Sequence, residues 1–171
     1  ALENASEQLR NLNRFVSDTL NSLPDATLVA DTQGQVLMAN QAAYRYFGQH
    51  NVTRLRWRTL SELLAGVHLA GTRTPVFNTV QLQAQTQAWG SEARDASGRD
   101  LLVRFVPCFN TDGLTTSWIA SLVDITPIRE AERQRDVALR FISHDMRSPQ
   151  SSILALLGLQ RLRPQQTMVS H

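Results

Sequence analysis

Residues 141–149 read Phe-Ile-Ser-His-Asp-Met-Arg-Ser-Pro, which sets two reactive side chains, His144 and Asp145, next to each other. A free imidazole, with a pKa of about 6.5, is mostly neutral at pH 7 and can attack an electrophile such as a phosphoryl group. A carboxylate near the other ring nitrogen can fix the tautomer and stabilise the imidazolium that forms. The neighbours decide where the ring points. Leu139, Ile142, Met146, Ile153 and Leu156 keep helical spacing, with Pro149 at the intervening seam position, and make an apolar face suited to a partner helix. His144 lies two residues from both Ile142 and Met146, about 200° around the helix from each, so it faces solvent while they pack. Pro149 deletes one helix hydrogen bond, and a helix that bends there would let upstream rotation change access to His144.

Something must deliver that helix. Upstream, Thr126-Pro127 suits a helix start, because a threonine can cap and a proline loses no bond at the first helical position. The helical pattern runs from there to about Arg163. At the other end of the chain, Leu2, Ala5, Leu9, Leu12, Val16, Leu20 and Leu23 form one apolar stripe, the seam of a two-stranded coiled coil or of a helix packed on its own domain. Pro24-Asp25 ends it.

Between the two helices the texture changes. Thr27–Asp31 and Val36–Asn40 are strand-like, and Gly34 in the turn between them suggests a hairpin. Asn40 can cap a short helix over 41–47, and Thr59-Leu-Ser-Glu62 has capping-box spacing for another. Residues 72–85 are ambiguous, with Pro75 limiting where a helix starts. Ala88–Arg94, Asp100–Phe109 and Ser117–Asp124 read as three strands separated by Asp95-Ala-Ser-Gly98 and Asn110-Thr-Asp-Gly113, both good turn sequences. With no long crossover among the last three, the expected architecture is α+β, a five-stranded antiparallel sheet with short helices on one face.

Two stretches resemble known families. Asp31-Thr-Gln-Gly34 leading to Asn40-Gln-Ala-Ala, together with Asp124-Ile125-Thr126 before a charged helix, resembles the two ends of a PAS domain, over about residues 24–126. Phe141-Ile-Ser-His144-Asp145-Met-Arg147-Ser-Pro149, with Ile153 beyond, is similar to the H-box of histidine kinases. That likeness implies that His144 is the phosphoacceptor, presented on the first helix of a dimeric four-helix bundle, with Asp145 as general base or orienting acid. Arg147 could meet a regulator carboxylate or phosphate, though a solvated arginine is the plainer reading. The family's phosphatase motif carries Thr or Asn three residues after the acid; Ser148 occupies that place here, which puts phosphatase activity in doubt.

Composition narrows the remaining classes. The chain has 171 residues, 42% of them hydrophobic, a formal charge of +2 and one cysteine. There is room for one domain plus appended helices. Cys108 excludes an internal disulfide, fits a reducing compartment and reads as a buried structural thiol. Arg54-Leu-Arg56-Trp-Arg58 reads as a solvated face, so no nucleic acid is expected. No stretch is long and apolar enough to span a bilayer, and no signal-peptide pattern is present, so a membrane is expected only through segments outside this sequence and the location is cytoplasmic. His50 and His68 read as ordinary histidines; haem at His68, among the helical segments, is a minor alternative. Trp57, Trp89 and Trp118 suit a core or a dimer contact, and the ligand of the sensor domain is unknown.

The expected organisation is an N-terminal signalling helix over 1–23, a PAS-like domain over 24–126, and a linker plus truncated phosphoacceptor helix over 127–171. The function it implies is the sensor and acceptor region of a homodimeric sensor histidine kinase. Mg-ATP would be held by the kinase's ATP-binding domain, and phosphate would pass to a response regulator receiver domain. No Gly-rich nucleotide loop occurs in these residues, so the chain is expected to be a substrate rather than an active kinase by itself. Two other readings stay open: a non-enzymatic PAS-type dimerisation or ligand-binding module with an incidental histidine, and a PAS-regulated effector of another kind.

Overall fold

A computed structural model describes residues 1–145. Helix α1 spans Leu2–Ser22 and stops where Leu23 turns extended (φ −74°, ψ 130°) ahead of Pro24. None of its residues is buried; Leu9 and Phe15 are 61% and 66% exposed. The apolar stripe read from the sequence is therefore present on α1, with Leu2, Leu9 and Leu12 exposed and Val16 and Leu20 half-buried.

Strands β1 (Ala26–Asp31) and β2 (Val36–Ala39) form the first hairpin. Its turn is built by the Asp31 carboxylate, which accepts from the N–H groups of Gln33 and Gln35 at 2.9 Å, and by Gly34 at φ +83°, a conformation that suits glycine. Asn40 then caps α2 (Gln41–Gly48), accepting from Ala43 N–H at 2.9 Å. Thr59 caps the single turn of α3 (Leu60–Leu63). The ambiguous stretch resolves into α4 (Thr79–Ala84), started by Asn78 rather than near Pro75. Strands β4 (Trp89–Arg94), β5 (Asp100–Phe109) and β6 (Thr115–Asp124) complete the domain.

The expected strands all occur, with a two-residue addition. His68–Leu69 forms β3, which pairs with Arg94 and Ala93 at the sheet's edge. His68 thus lies on a strand, not among helical segments. The sheet runs β2-β1-β6-β5-β4-β3, with every pairing antiparallel.

Alternation along the strands separates two faces. Leu101, Val103 and Phe105 of β5, and Trp118, Ala120 and Leu122 of β6, are buried. They form one core cluster with Phe47 of α2, Leu60 of α3, Leu82 of α4 and the connecting Val67 and Phe77. Each such aliphatic or aromatic side chain contributes roughly 1.5–3 kcal/mol on burial, so this layer holds helices and sheet together. The opposite sheet face carries Arg104 and Val106, which are exposed, and the half-buried Ile119 and Val123.

Asn40 joins the first elements. Its Oδ1 accepts from Thr27 N–H as well as from Ala43 N–H, and its Nδ2 donates to Asp25 O at 2.9 Å and Leu20 O at 3.1 Å. The end of α1, the start of β1 and the start of α2 are thereby held by one fully buried amide. At the far end, Thr126 Oγ1 accepts from Asp100 N–H at 3.0 Å, and Ile125 N–H donates to Asp100 O, so the start of β5 fixes the segment leaving β6.

Residues 127–145 belong to a second unit, separate from the sheet domain. Residues 126–145 are helical, and Val137, Leu139, Phe141 and Ile142 are all at least half exposed. Arg129 meets Glu132 at 2.7 Å on the same helix, an exposed pair of small energetic weight.

Candidate functional site

His144 and Asp145 are the last two described residues, and both are helical. Their side chains are 88% and 57% exposed, so the imidazole is open to a reactant from solvent. Nδ1 of His144 stands 3.9 Å from Oδ1 of Asp145, an ion-pair separation beyond hydrogen-bonding distance. In this conformation Asp145 can stabilise a positive ring through space, and a small rotation would be needed for it to fix a tautomer. Met146, Arg147, Ser148, Pro149, Ile153 and Leu156, which complete the motif, lie outside the described residues.

The α+β domain holds a polar centre that the sequence did not announce. Asp95 opens the β4–β5 turn in the same way as Asp31 opens the first hairpin, its Oδ1 accepting from Ser97 N–H, Ser97 Oγ and Arg99 N–H at 2.7–3.0 Å. Unlike Asp31, its second oxygen is also engaged. Oδ2 accepts from the Tyr46 hydroxyl at 3.0 Å, lies 3.3 Å from Arg99 Nε and is 3.6 Å from His50 Nε2. Burial alone would raise the Asp95 carboxyl's pKa; the Ser97, Arg99 and Tyr46 hydrogen bonds with the Arg99 charge outweigh it and hold the value below the ordinary one. For Tyr46, burial and then the Asp95 charge push its hydroxyl well above the usual phenol range. The Arg99 guanidinium sits 5.1 Å from the Tyr46 ring centre, within cation–π range. His50 Nε2 also meets Arg99 Nη2 at 3.4 Å, so a neutral ring accepts from arginine while a protonated one donates toward Asp95. Tyr46, His50 and Asp95 line a cavity of about 200 Å³ beside α2 and α3.

Other expected residues are scattered. Trp118 is fully buried in the core, Trp89 is half-buried and stacked on Phe105 at 4.1 Å, and Trp57 is 58% exposed. Trp57 is therefore not a core residue. The indole N–H groups of Trp89 and Trp118 are buried without a hydrogen-bond partner among the described residues. Such a donor costs about 1–3 kcal/mol when unpaired. Cys108 is half-buried on β5, less enclosed than its apolar surroundings suggest. Arg54, Arg56 and Arg58 are all exposed. The sequence signalled the Asp95 turn through Asp95 and Gly98, but nothing in a single sequence links Asp95 to Tyr46 and His50.

The fold and the hairpin-and-cap arrangement define the class. The family described as the PAS fold matches residues 20–130, and the chain belongs to that family. Its curated relatives include the sensor protein kinase WalK of Staphylococcus aureus (strain Newman), 21% identical over 152 residues, and that of Staphylococcus epidermidis (strain ATCC 12228 / FDA PCI 1200), 22% identical over 154. Each alignment covers 89% of this chain, which spans about a quarter (24%) of the length of those proteins. Among solved structures, the PAS domain of Bordetella pertussis BvgS matches at a TM-score of 0.50 and 18% identity, over 75% of this chain and 98% of that one. An RNA-binding light-oxygen-voltage receptor matches at 0.52 and 18%, over 80% of this chain and 39% of that one. At such identities these two structures speak for the fold alone. The chain is a PAS-fold domain with distant homology to sensor protein kinases, and no helix among its described residues is long and apolar enough to cross a membrane.

Proposed function

We propose that this chain is the sensor and phosphoacceptor region of a cytoplasmic sensor histidine kinase that accepts phosphate on His144 and passes it to a response regulator. The observation that carries the reading is the order of parts. A PAS-fold domain fixes its last strand through Thr126 and Asp100, and the helix that follows carries an 88%-exposed His144 beside Asp145. In the reaction, the ring nitrogen of His144 would attack the γ-phosphorus of Mg-ATP held by an ATP-binding domain, the bond to the ADP oxygen would break, and Asp145 would stabilise the developing imidazolium. Transfer of the phosphoryl group to an aspartate oxygen of a receiver domain would then break the N–P bond and regenerate the free imidazole.

Homodimerisation belongs to the same reading. The exposed stripe of α1 and the exposed Leu139 and Ile142 would each be covered by the same helix of a second copy. The ligand of the PAS core stays open, with the indole N–H groups of Trp89 and Trp118 as donors for an acceptor-bearing molecule.

The test uses the gene with the coding sequence downstream of residue 171 included. Purified protein given Mg-ATP is expected to gain acid-labile, base-stable phosphate that His144→Gln abolishes. Phosphorylation that is unchanged in His144→Gln overturns the assignment and favours a non-enzymatic PAS module.

A further inference from the structure

The cavity beside the Asp95 turn has opposite charges to offer, and we propose that it binds a free α-amino acid with an apolar side chain. At about 200 Å³ it is smaller than the roughly 300–1,000 Å³ of pockets for drug-sized ligands, so its occupant is a small metabolite. Phe47, Val52, Leu63 and Val67 supply an apolar lining, and Arg58 and Glu62 complete the wall.

The charges separate into used and unused. Asp95 has both oxygens engaged and is neutralised by Arg99, so it builds the wall and leaves nothing for a ligand. Arg58 and Glu62 are the reverse case: neither side chain makes a hydrogen bond or ion pair among the described residues. One unused guanidinium and one unused carboxylate on the same small cavity sum to zero. A guanidinium matches a carboxylate through paired N–H donors, and a carboxylate matches an ammonium. A simple carboxylic acid would leave Glu62 without a partner, and a dicarboxylate would be repelled by it. An amine would leave Arg58 unanswered. The zwitterionic head of an amino acid satisfies both, and its side chain then meets the Phe47–Val67 lining. Such binding would supply a signal to the sensor reading above and rests on it for meaning, but it is read on the domain itself and stands or falls separately from phosphorylation at His144.

Calorimetric titration of the 171-residue chain with L-leucine tests it. The expected result is one saturable site, weakened about tenfold or more in Arg58→Ala and in Glu62→Gln. The leucine analogue 4-methylpentanoate, which lacks the ammonium, and isoamylamine, which lacks the carboxylate, should each bind at least about tenfold more weakly to the unaltered chain. Both altered residues are exposed, and circular dichroism should show the fold intact. The proposal is overturned by the absence of saturable heat at millimolar L-leucine. It is equally overturned if 4-methylpentanoate or isoamylamine binds as tightly, or if either variant keeps the original affinity.

Discussion

Asn40 and Asp95 are both buried polar side chains, and they answer for different parts of the domain. Truncating Asn40 to alanine removes a helix cap and leaves the Thr27 N–H and the Asp25 carbonyl without the partner they have now. A lost cap costs about 0.5–2 kcal/mol and a buried unpaired amide about 1–3, so Asn40→Ala is expected to destabilise by about 1.5–5 kcal/mol, read from urea unfolding. Asp95 acts through pH as well. Its folded-state pKa lies below the ordinary carboxylate value, so its contribution is complete above the unfolded-state pKa and is lost as pH falls through the folded one. Stability should therefore decline below about pH 4, and Asp95→Asn should flatten that decline while lowering stability at pH 7. Urea midpoints collected between pH 3 and 7 on both proteins separate the two effects; a variant whose profile parallels the parent's would contradict the assignment.

At the scale of elements, the two terminal helices share one property: no buried residue within the described chain. Placing charge in the α1 stripe, as in Leu9→Glu with Leu12→Glu, should convert the proposed dimer to a monomer in sedimentation without disturbing the sheet's near-ultraviolet signal, because neither residue is in the core. A dimer that persists in this double variant would place the contact elsewhere. The elements also show why some of the fold is legible in sequence. The hairpin turns at Asp31 and Asp95 and the caps at Asn40 and Thr59 are local chemistry, in which a side chain bonds backbone two to four residues away, so residue type and spacing suffice. Strand β5 could be bounded at Asp100 and Phe109 for the same reason. Strand β3 could not be read, because only its pairing with Arg94 and Ala93 makes two residues a strand. Nor could the Tyr46–His50–Asp95–Arg99 centre, since Tyr46 and Asp95 meet across 49 positions of sequence. Trp57 looked like the other tryptophans and proves exposed, because burial depends on which way a loop turns rather than on residue type.

For the molecule as a whole, the proposed signal must travel along the helix from Thr126 to His144, and a helix transmits angular phase. Each residue inserted in its exposed part turns everything beyond by about 100°. Two residues inserted between Glu130 and Ala131 would rotate the His144 face by about 200° relative to Thr126, whereas seven would rotate it by about 700°, within about 20° of the original phase. If the sensor domain controls access to His144 through helix phase, the two-residue insertion should lock phosphorylation high or low and make it independent of any ligand. The seven-residue insertion should restore a regulated level despite being the larger change. The measurement is the rate of acid-labile phosphate formation from Mg-ATP in protein that includes the sequence downstream of residue 171. Equal rates and equal regulation in the two insertions would remove helix phase as the carrier, and a ligand effect would then have to reach His144 through a rearrangement of the dimer instead.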